Sequence, residues 1–374
     1  MAITHEPILY DATGNYIKII DDYVSFQYAR GVNVMGTFSM ALPSYYYPLI
    51  QKDYQIRNFR TPDNGKKYLE GETSWLVRTK GKSLDNSGKV MVNVGASDGM
   101  HLLTRRFVIA FAGSAAASKS GAADNVVKAI VNEQMGTGAA AALRRLATTF
   151  FNIQPNLTLL PSITKEFAWR NVLAVLQEIA QDSYTNGSFM AFDIVWYGPS
   201  SGGYYEFRTY KNQRGVNRSR SQAVNAPVVL STERNQLSEA EVTIDWENEI
   251  TRAFAAGAGE GTDRYLTQVA DDTRIASPAG RIEDFLDARN GSTDAAVLAE
   301  ANARLRERRA KKIVTANYSN SSNIKWGVDI GLGDIVTLDV FNENFDVRID
   351  AYSITVEAGK PEQIDLKFQY EGFV

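Results

Sequence analysis

The chain has 374 residues, 44% apolar and 22% charged, with 40 Lys and Arg against 43 Asp and Glu and a formal net charge of -3. At roughly 150 residues per domain this length holds two or three packed cores, and the near-balance of charge excludes a polycation gripping phosphates over its whole surface. The absence of cysteine excludes disulfides, thiolate zinc sites, iron–sulfur clusters and a cysteine nucleophile, and the two imidazoles, His5 and His101, cannot build a three-histidine metal site.

The first residues carry Glu6 and lack a basic region followed by an apolar one, so no signal peptide is expected. His5 stands in this leading segment, and His101 lies among turn residues after Asp98-Gly99. Neither is flanked by a G-x-S-x-G nucleophile motif, and both read as ordinary surface or partly buried histidines. Residues 1–112 then alternate apolar and polar in short stretches, the pattern of half-buried antiparallel strands. Ile8-Leu9-Tyr10 and residues 16–20 predict a hairpin around Asp11-Ala12-Thr13-Gly14-Asn15, and residues 24–28, 37–43, 75–82 and 90–95 continue the series. The expected product is a small β-barrel or sandwich.

Composition shifts at residues 112–121, a small-residue linker and the best domain boundary in the chain. The low-charge run 108–118 containing its start falls well short of the ~20 apolar residues that span a bilayer, so no membrane insertion is expected. Asp124 is placed to cap a helix with Val126, Val127, Ile130 and Val131 on one face, ending near Gly136. A second helix is expected over residues 165–182, with Trp169, Val172, Leu173, Leu176, Ile179 and Ala180 on one stripe. Residues 189–197 and 204–210, separated by residues 198–203, form a hairpin able to receive that stripe. The middle unit, residues 113–225, therefore reads as α+β.

From residue 226 the strand pattern resumes with residues 228–230, 241–246 and 250–255. A charged helix over residues 293–313, part of a helical insertion at about 262–313, interrupts it. Residues 335–340, 345–349, 354–357 and 364–368 complete a second β-rich unit, residues 226–374. The fold class is mainly β with an α+β insert.

Gly257-Ala258-Gly259-Glu260-Gly261 resembles a phosphate loop, but a strand-like run follows it instead of a helix N-terminus, so the glycines read as a bulge or a close backbone approach. Basic residues cluster at Lys211, Arg214, Arg218 and Arg220 and again at Arg304, Arg306, Arg308, Arg309, Lys311 and Lys312. The second cluster contains Glu307 and no aromatic residue, which suits a solvated or interface face better than a nucleic-acid platform. Neither a paired-carboxylate spacing nor a calcium loop stands out. No residue is assigned a catalytic, cofactor-binding or metal role, and no cofactor is expected. Tyrosine and phenylalanine number 35, and Tyr45-Tyr46-Tyr47-Pro48 and Tyr204-Tyr205 leave a share of aromatics for contacts between chains.

Several segments, in their order and spacing, carry a resemblance. They are Asp21-Asp22-Tyr23 after the opening hairpin, Gly36-Thr37-Phe38, residues 123–131, Phe167-Ala168-Trp169-Arg170-Asn171-Val172-Leu173, residues 205–210 with Gln213-Arg214-Gly215, residues 256–261, residues 281–289, and Gly331-Leu332-Gly333-Asp334-Ile335-Val336. Together they resemble the siphovirus-type proteins that form the central hub of the phage tail tip, over almost the whole chain. The resemblance implies a homotrimer in which each subunit supplies two tube-type β-barrels, residues 1–112 and 226–374, flanking or interleaved with the α+β domain. One face would match the sixfold tail tube or a distal tail protein, and the other would match trimeric spikes, fibres or other tip proteins. The tape-measure protein is a further candidate neighbour, and genome DNA would pass through the lumen without sequence-specific binding. It also implies synthesis in the bacterial host cytoplasm, a final place in the virion tail tip, and structural roles for Gly333-Asp334 at a turn and for residues 257–261 at a barrel edge. Larger hubs carry an appended peptidase, lysozyme or receptor-binding domain, for which a chain ending at Val374 leaves no room, so no enzyme is expected. The competing expectations are a carbohydrate- or receptor-binding module using Tyr204 or Tyr205, and a tail-associated cell-wall hydrolase.

Overall fold

The computed structural model describes residues 3–62, 65–85, 87–109, 117–167, 169–185, 187–198, 203–222, 224–275, 277–288, 294–319 and 323–370. The N-terminal part builds β1 (Thr4–Tyr10), β2 (Tyr16–Ile19), β3 (Ser25–Gly31), β4 (Val34–Pro43), β5 (Gln55–Thr61), β6 (Tyr68–Leu69), β7 (Trp75–Leu84) and β8 (Val90–Ser97). The period-2 pattern decides which side chains turn inward: Phe26 and Tyr28 on β3 and Phe38, Met40 and Leu42 on β4 are buried, with the exposed Gln27 and Ser39 among the residues between them. The β1–β2 hairpin turns where expected. The Asp11 carboxylate accepts the backbone N–H groups of Thr13 at 2.8 Å and Asn15 at 2.9 Å, which holds the loop shut.

The middle part contains α1 (His101–Thr104), β9 (Phe107–Val108), β10 (Ala117–Ala122), α2 (Ala123–Met135), β11 (Phe151–Ile153), β12 (Ser162–Phe167), β13 (Arg170–Asn171), α3 (Val172–Thr185), β14 (Met190–Tyr197) and β15 (Tyr204–Lys211). The hairpin β14–β15 forms as predicted, with β11 added to β15; the turn residues 199–202 lie outside the described residues, as do residues 112–116 of the expected linker. Two local expectations fail. The helix expected over 165–182 starts at Val172, because residues 162–167 alternate as a strand paired with β10 and Trp169 takes a left-handed backbone, φ 57°, that ends any helical continuation. Asp124 is not the cap of α2: Ala122 occupies that position, and the buried Asp124 carboxylate sits in the first turn, accepting the backbone N–H groups of Leu159 and Leu160 at 3.1–3.2 Å.

The C-terminal part contains β16 (Val229–Ser231), β17 (Leu237–Asp245), β18 (Arg252–Ala256), β19 (Leu266–Ala270), β20 (Glu283–Asp287), α4 (Asp294–Glu307), β21 (Lys311–Tyr318), β22 (Ile335–Val340), β23 (Glu343–Glu357) and β24 (Gln363–Tyr370). The expected helix over 293–313 ends at Glu307, and residues 311–318 instead pair with β17. Residues 345–349 and 354–357 are one continuous strand that absorbs an irregularity between Ile349 and Ala351. β18, β19, β20 and α4 form a small unit with its own core around Ala255, Val297 and Ala301.

The chain is mainly β, but among the described residues no sheet closes into a barrel. Strand β23 pairs with β3, and this junction fuses both β-rich parts into one twelve-stranded sheet in the order β16-β22-β23-β3-β4-β8-β7-β5-β1-β2, with β24 on β23 and β6 on β5. A single apolar core follows the junction, running from Leu9, Phe26 and Trp75 to Val336, Tyr352 and Ile354. The second core lies in the middle part between α2, α3 and β14–β15. β14 stands between the two cores: Met190, Phe192, Ile194 and Trp196 enter the second, while Ala191 enters the first.

Candidate functional site

Both histidines are structural in their surroundings. His5 Nε2 lies 2.8 Å from a Glu362 carboxylate oxygen and its Nδ1 lies 3.0 Å from Asn58 Nδ2, so the first strand is tied to the start of the last. Arg60 grips the same Glu362 through two nitrogens at 2.5 and 3.0 Å and donates to the Trp326 carbonyl at 2.8 Å and to Tyr68 Oη at 2.9 Å. These partners hold Glu362 down to about 2 against the opposing effect of its burial. His101 sits in α1, where burial and the nearby Arg105 and Arg78 push it down to about 4, leaving a neutral ring at physiological pH.

A second buried cluster joins the N-terminal and middle parts. Arg30 donates to Asp98 at 3.2 Å, to Asp193 at 2.7 Å and to the Gly71 carbonyl. Arg214 holds the other Asp193 oxygen at 2.6 Å and reaches Glu72 at 2.8 Å. Burial raises Asp193, but the two guanidinium groups outweigh it and hold that carboxyl low; Asp98, which shares Arg30 and feels the Asp193 charge, is pushed up to about 6 by its burial. Arg57 is buried between the rings of Tyr10 and Trp196 at 3.9 and 4.0 Å, with Ser74 Oγ and Gln55 Oε1 as acceptors. The sequence reading assigned no role to Arg30, Arg57, Arg60, Asp98, Asp193 or Glu362. A signal existed for Arg30, which continues the inward register of Phe26 and Tyr28; nothing local identifies its partners.

The remaining sequence candidates resolve into contacts. Residues 257–261 make the turn of the β18–β19 hairpin, closed by Gly257 N–H on the Tyr265 carbonyl at 2.9 Å. A Cβ on Gly257 would stand 2.8 Å from Val297 of α4, Gly259 and Gly261 have φ of 104° and 56°, and Arg264 fills the loop by donating to the Gly257 and Ala256 carbonyls. A close backbone approach is what the glycines permit. Asp334 shapes the turn into β22: its carboxylate accepts Val216 N–H at 2.6 Å and Gly331 N–H at 2.8 Å. Arg304 pairs with Asp284 at 2.7 Å and Lys312 with Glu343 at 3.0 Å, so the basic run 304–312 is divided between helix and strand and partly neutralised.

Of the aromatics expected at the surface, Tyr45 is half exposed with Lys18 Nζ 5.1 Å from its ring, but Tyr46 and Tyr205 are fully buried. Tyr205 donates its hydroxyl to the Ser74 carbonyl at 2.7 Å, which removes it from any saccharide platform; Tyr204 remains partly exposed beside Tyr197. An open groove of about 820 Å³ is lined by Arg218, Val229 of β16, Arg234, Ile324 and Asp329 among others. Among the described residues no three His, Asp or Glu side chains are grouped to hold a metal ion. Among the described residues no helix is long and apolar enough to cross a membrane.

Three solved structures share this fold over nearly their full length. The tail protein from Neisseria meningitidis MC58 superposes with a TM-score of 0.57 at 11% identity, covering 97% of this chain and 96% of that one. The 43 kDa tail protein of prophage MuSo2 from Shewanella oneidensis gives 0.55 at 10% identity, covering 98% of both chains. The prophage tail protein gp18 from Listeria monocytogenes EGD-e gives 0.53 at 14% identity, covering 97% and 94%. No curated protein matches the sequence. The family described as Siphovirus ReqiPepy6 Gp37-like protein matches residues 6–368, in agreement with the resemblance carried by the segments above. The chain shares its fold with these phage tail proteins and belongs to the Siphovirus ReqiPepy6 Gp37-like protein family.

Proposed function

We propose that the protein is the central hub of the tail tip: three copies form a ring that ends the sixfold tube, presents a threefold face to spike, fibre or other tip proteins, and leaves a channel for the genome. Its role is structural and not catalytic. The observation that carries this reading is the open twelve-stranded sheet, whose path ends at β2 and β16, leaving the outer backbone edges of both strands without a strand partner among the described residues. Unpaired edges of this kind are templates for neighbouring chains. The two buried ion clusters support it further, because they tie residues 5, 30, 60, 98, 193, 214 and 362 into one body able to bear load between tube and tip.

The distal tail or tail-tube protein and the tape-measure protein are the proposed neighbours on the tube side. Near-neutral net charge suits a lumen of acidic or mixed character, since a basic lining would retain DNA through accumulated phosphate contacts. Native mass spectrometry of the full chain, alone and with its tube partner, tests the stoichiometry. Trimers are expected; a chain that remains monomeric under both conditions overturns the reading, and a lumen lined mainly by Arg and Lys overturns its channel part.

A further inference from the structure

The middle part and the segment that follows it carry opposite charge. Residues 113–225 hold eleven Lys and Arg against seven Asp and Glu, whereas residues 237–318 hold fifteen Asp and Glu against eleven Lys and Arg. Each imbalance has a surface point where charge and exposed aromatic side chains coincide.

On the basic side, the short β9–β13 ladder draws the elements together. Trp169 N–H donates to the Val108 carbonyl at 2.8 Å, Asn171 stands opposite Phe107, and Arg144 donates to the Phe107 carbonyl at 2.9 Å. Trp169 is 67% exposed and Phe107 53%, and Leu143, beside Arg144 in the chain, is fully exposed. A bulky residue held at positive φ with its ring in solvent is strain without a return inside the monomer. Arg106 and Arg144 lie close enough that burial and Arg106 together push the Arg144 guanidinium below its usual range. Arg106 Nε and Arg144 Nη1 are buried and have no hydrogen-bond partner among the described residues. Both side chains are only half-buried, and adjacent cations repel each other until an anion meets the part that faces solvent.

On the acidic side, β17 ends in Asp245-Trp246-Glu247-Asn248-Glu249, a loop without a basic residue. Trp246 is 57% exposed, and the Asp245 carboxylate shapes the loop by accepting Glu247 N–H at 2.8 Å. Glu249 is held by Arg274 at 3.1 Å and Lys311 stands opposite Asp245 in the β17–β21 ladder, while Asp245 and Glu247 flank Trp246 in the chain.

We propose that the basic patch around Trp169 on one copy receives the acidic Trp246 loop of a second copy, Arg106 and Arg144 pairing with Asp245 and Glu247 while Trp169, Phe107, Leu143 and Trp246 leave water together. Tryptophan and arginine are the side chains that most often anchor such contacts. The two surfaces differ, so the contact is head to tail and closes into a ring when the rotation between copies allows it. The proposal rests on the hub reading, in which copies surround a common axis.

The full chain carrying Trp169→p-benzoylphenylalanine is mixed with isotope-labelled wild-type chain, assembled with the tube partner, irradiated and digested. Cross-links from position 169 to residues 245–249 of a labelled copy are expected. Cross-links confined to one copy, to another tail protein or to nucleic acid, or none in an assembled sample, overturn the proposal. Arg106→Glu with Arg144→Glu should weaken assembly by about tenfold or more through like-charge contact, and Asp245→Lys with Glu247→Lys in the same chain should restore it. Rings that form unchanged in the first variant overturn this contact and leave the hub reading standing; a wild-type chain that never assembles removes both.

Discussion

Glu362 concentrates the electrostatic argument at the scale of one residue. Its side chain is nearly inaccessible, paired with Arg60 and His5 across the length of the sequence. Its folded-state pKa, about 2, lies below the unfolded carboxylate value, so the stability it supplies is complete above that value and is lost as pH falls toward 2. Glu362→Gln should cost about 3–5 kcal/mol at neutral pH, since it leaves buried Arg60 without its counter-charge, and should flatten the fall of the melting temperature between about pH 4.5 and 2. A variant that melts like wild type throughout that window would contradict the assignment. Asp98 acts in the opposite sense. Raised to about 6, it binds its proton more tightly when folded, so its contribution weakens as pH rises through 6, and Asp98→Asn should remove that component from a stability profile measured by denaturant titration.

At the scale of elements, close approaches decide what can be changed. A Cβ on Gly215 would stand 2.1 Å from the Asp334 carboxylate and 2.6 Å from its backbone nitrogen, so Gly215→Ala should destabilise by about 1–3 kcal/mol by prising the 213–216 segment off the turn into β22. Leu176→Ala, in the fully buried stripe of α3, should cost about 2–5 kcal/mol in chemical denaturation. The hairpins β1–β2 and β14–β15 were legible because period-2 alternation and turn residues act within ten residues of each other. Boundaries were less so. Residues 165–167 fit a helical stripe and a strand equally well, and pairing with β10 decided between them; residues 311–313 extended a charged helix on paper until β17 claimed them as a strand. The ion clusters were not legible, because Arg30 and Asp193 lie 163 positions apart and only the fold brings them to 2.7 Å.

For the whole molecule, the fusion of residues 4–97 with residues 335–370 through β3 and β23 changes the picture of two independent β-rich parts into one body with a shared core. The middle part is joined to that body by Asp193 and by Ala191, which sits in the shared core. Among the described residues the sheet path ends at β2 and β16, and on the proposed reading those edges are where other chains would add. The most direct test of the hub account is a reconstruction of the intact tail tip. The account predicts three copies of this chain in a ring on the tail axis, between the tube and the tip proteins. A single copy, or copies located away from the axis, would contradict it.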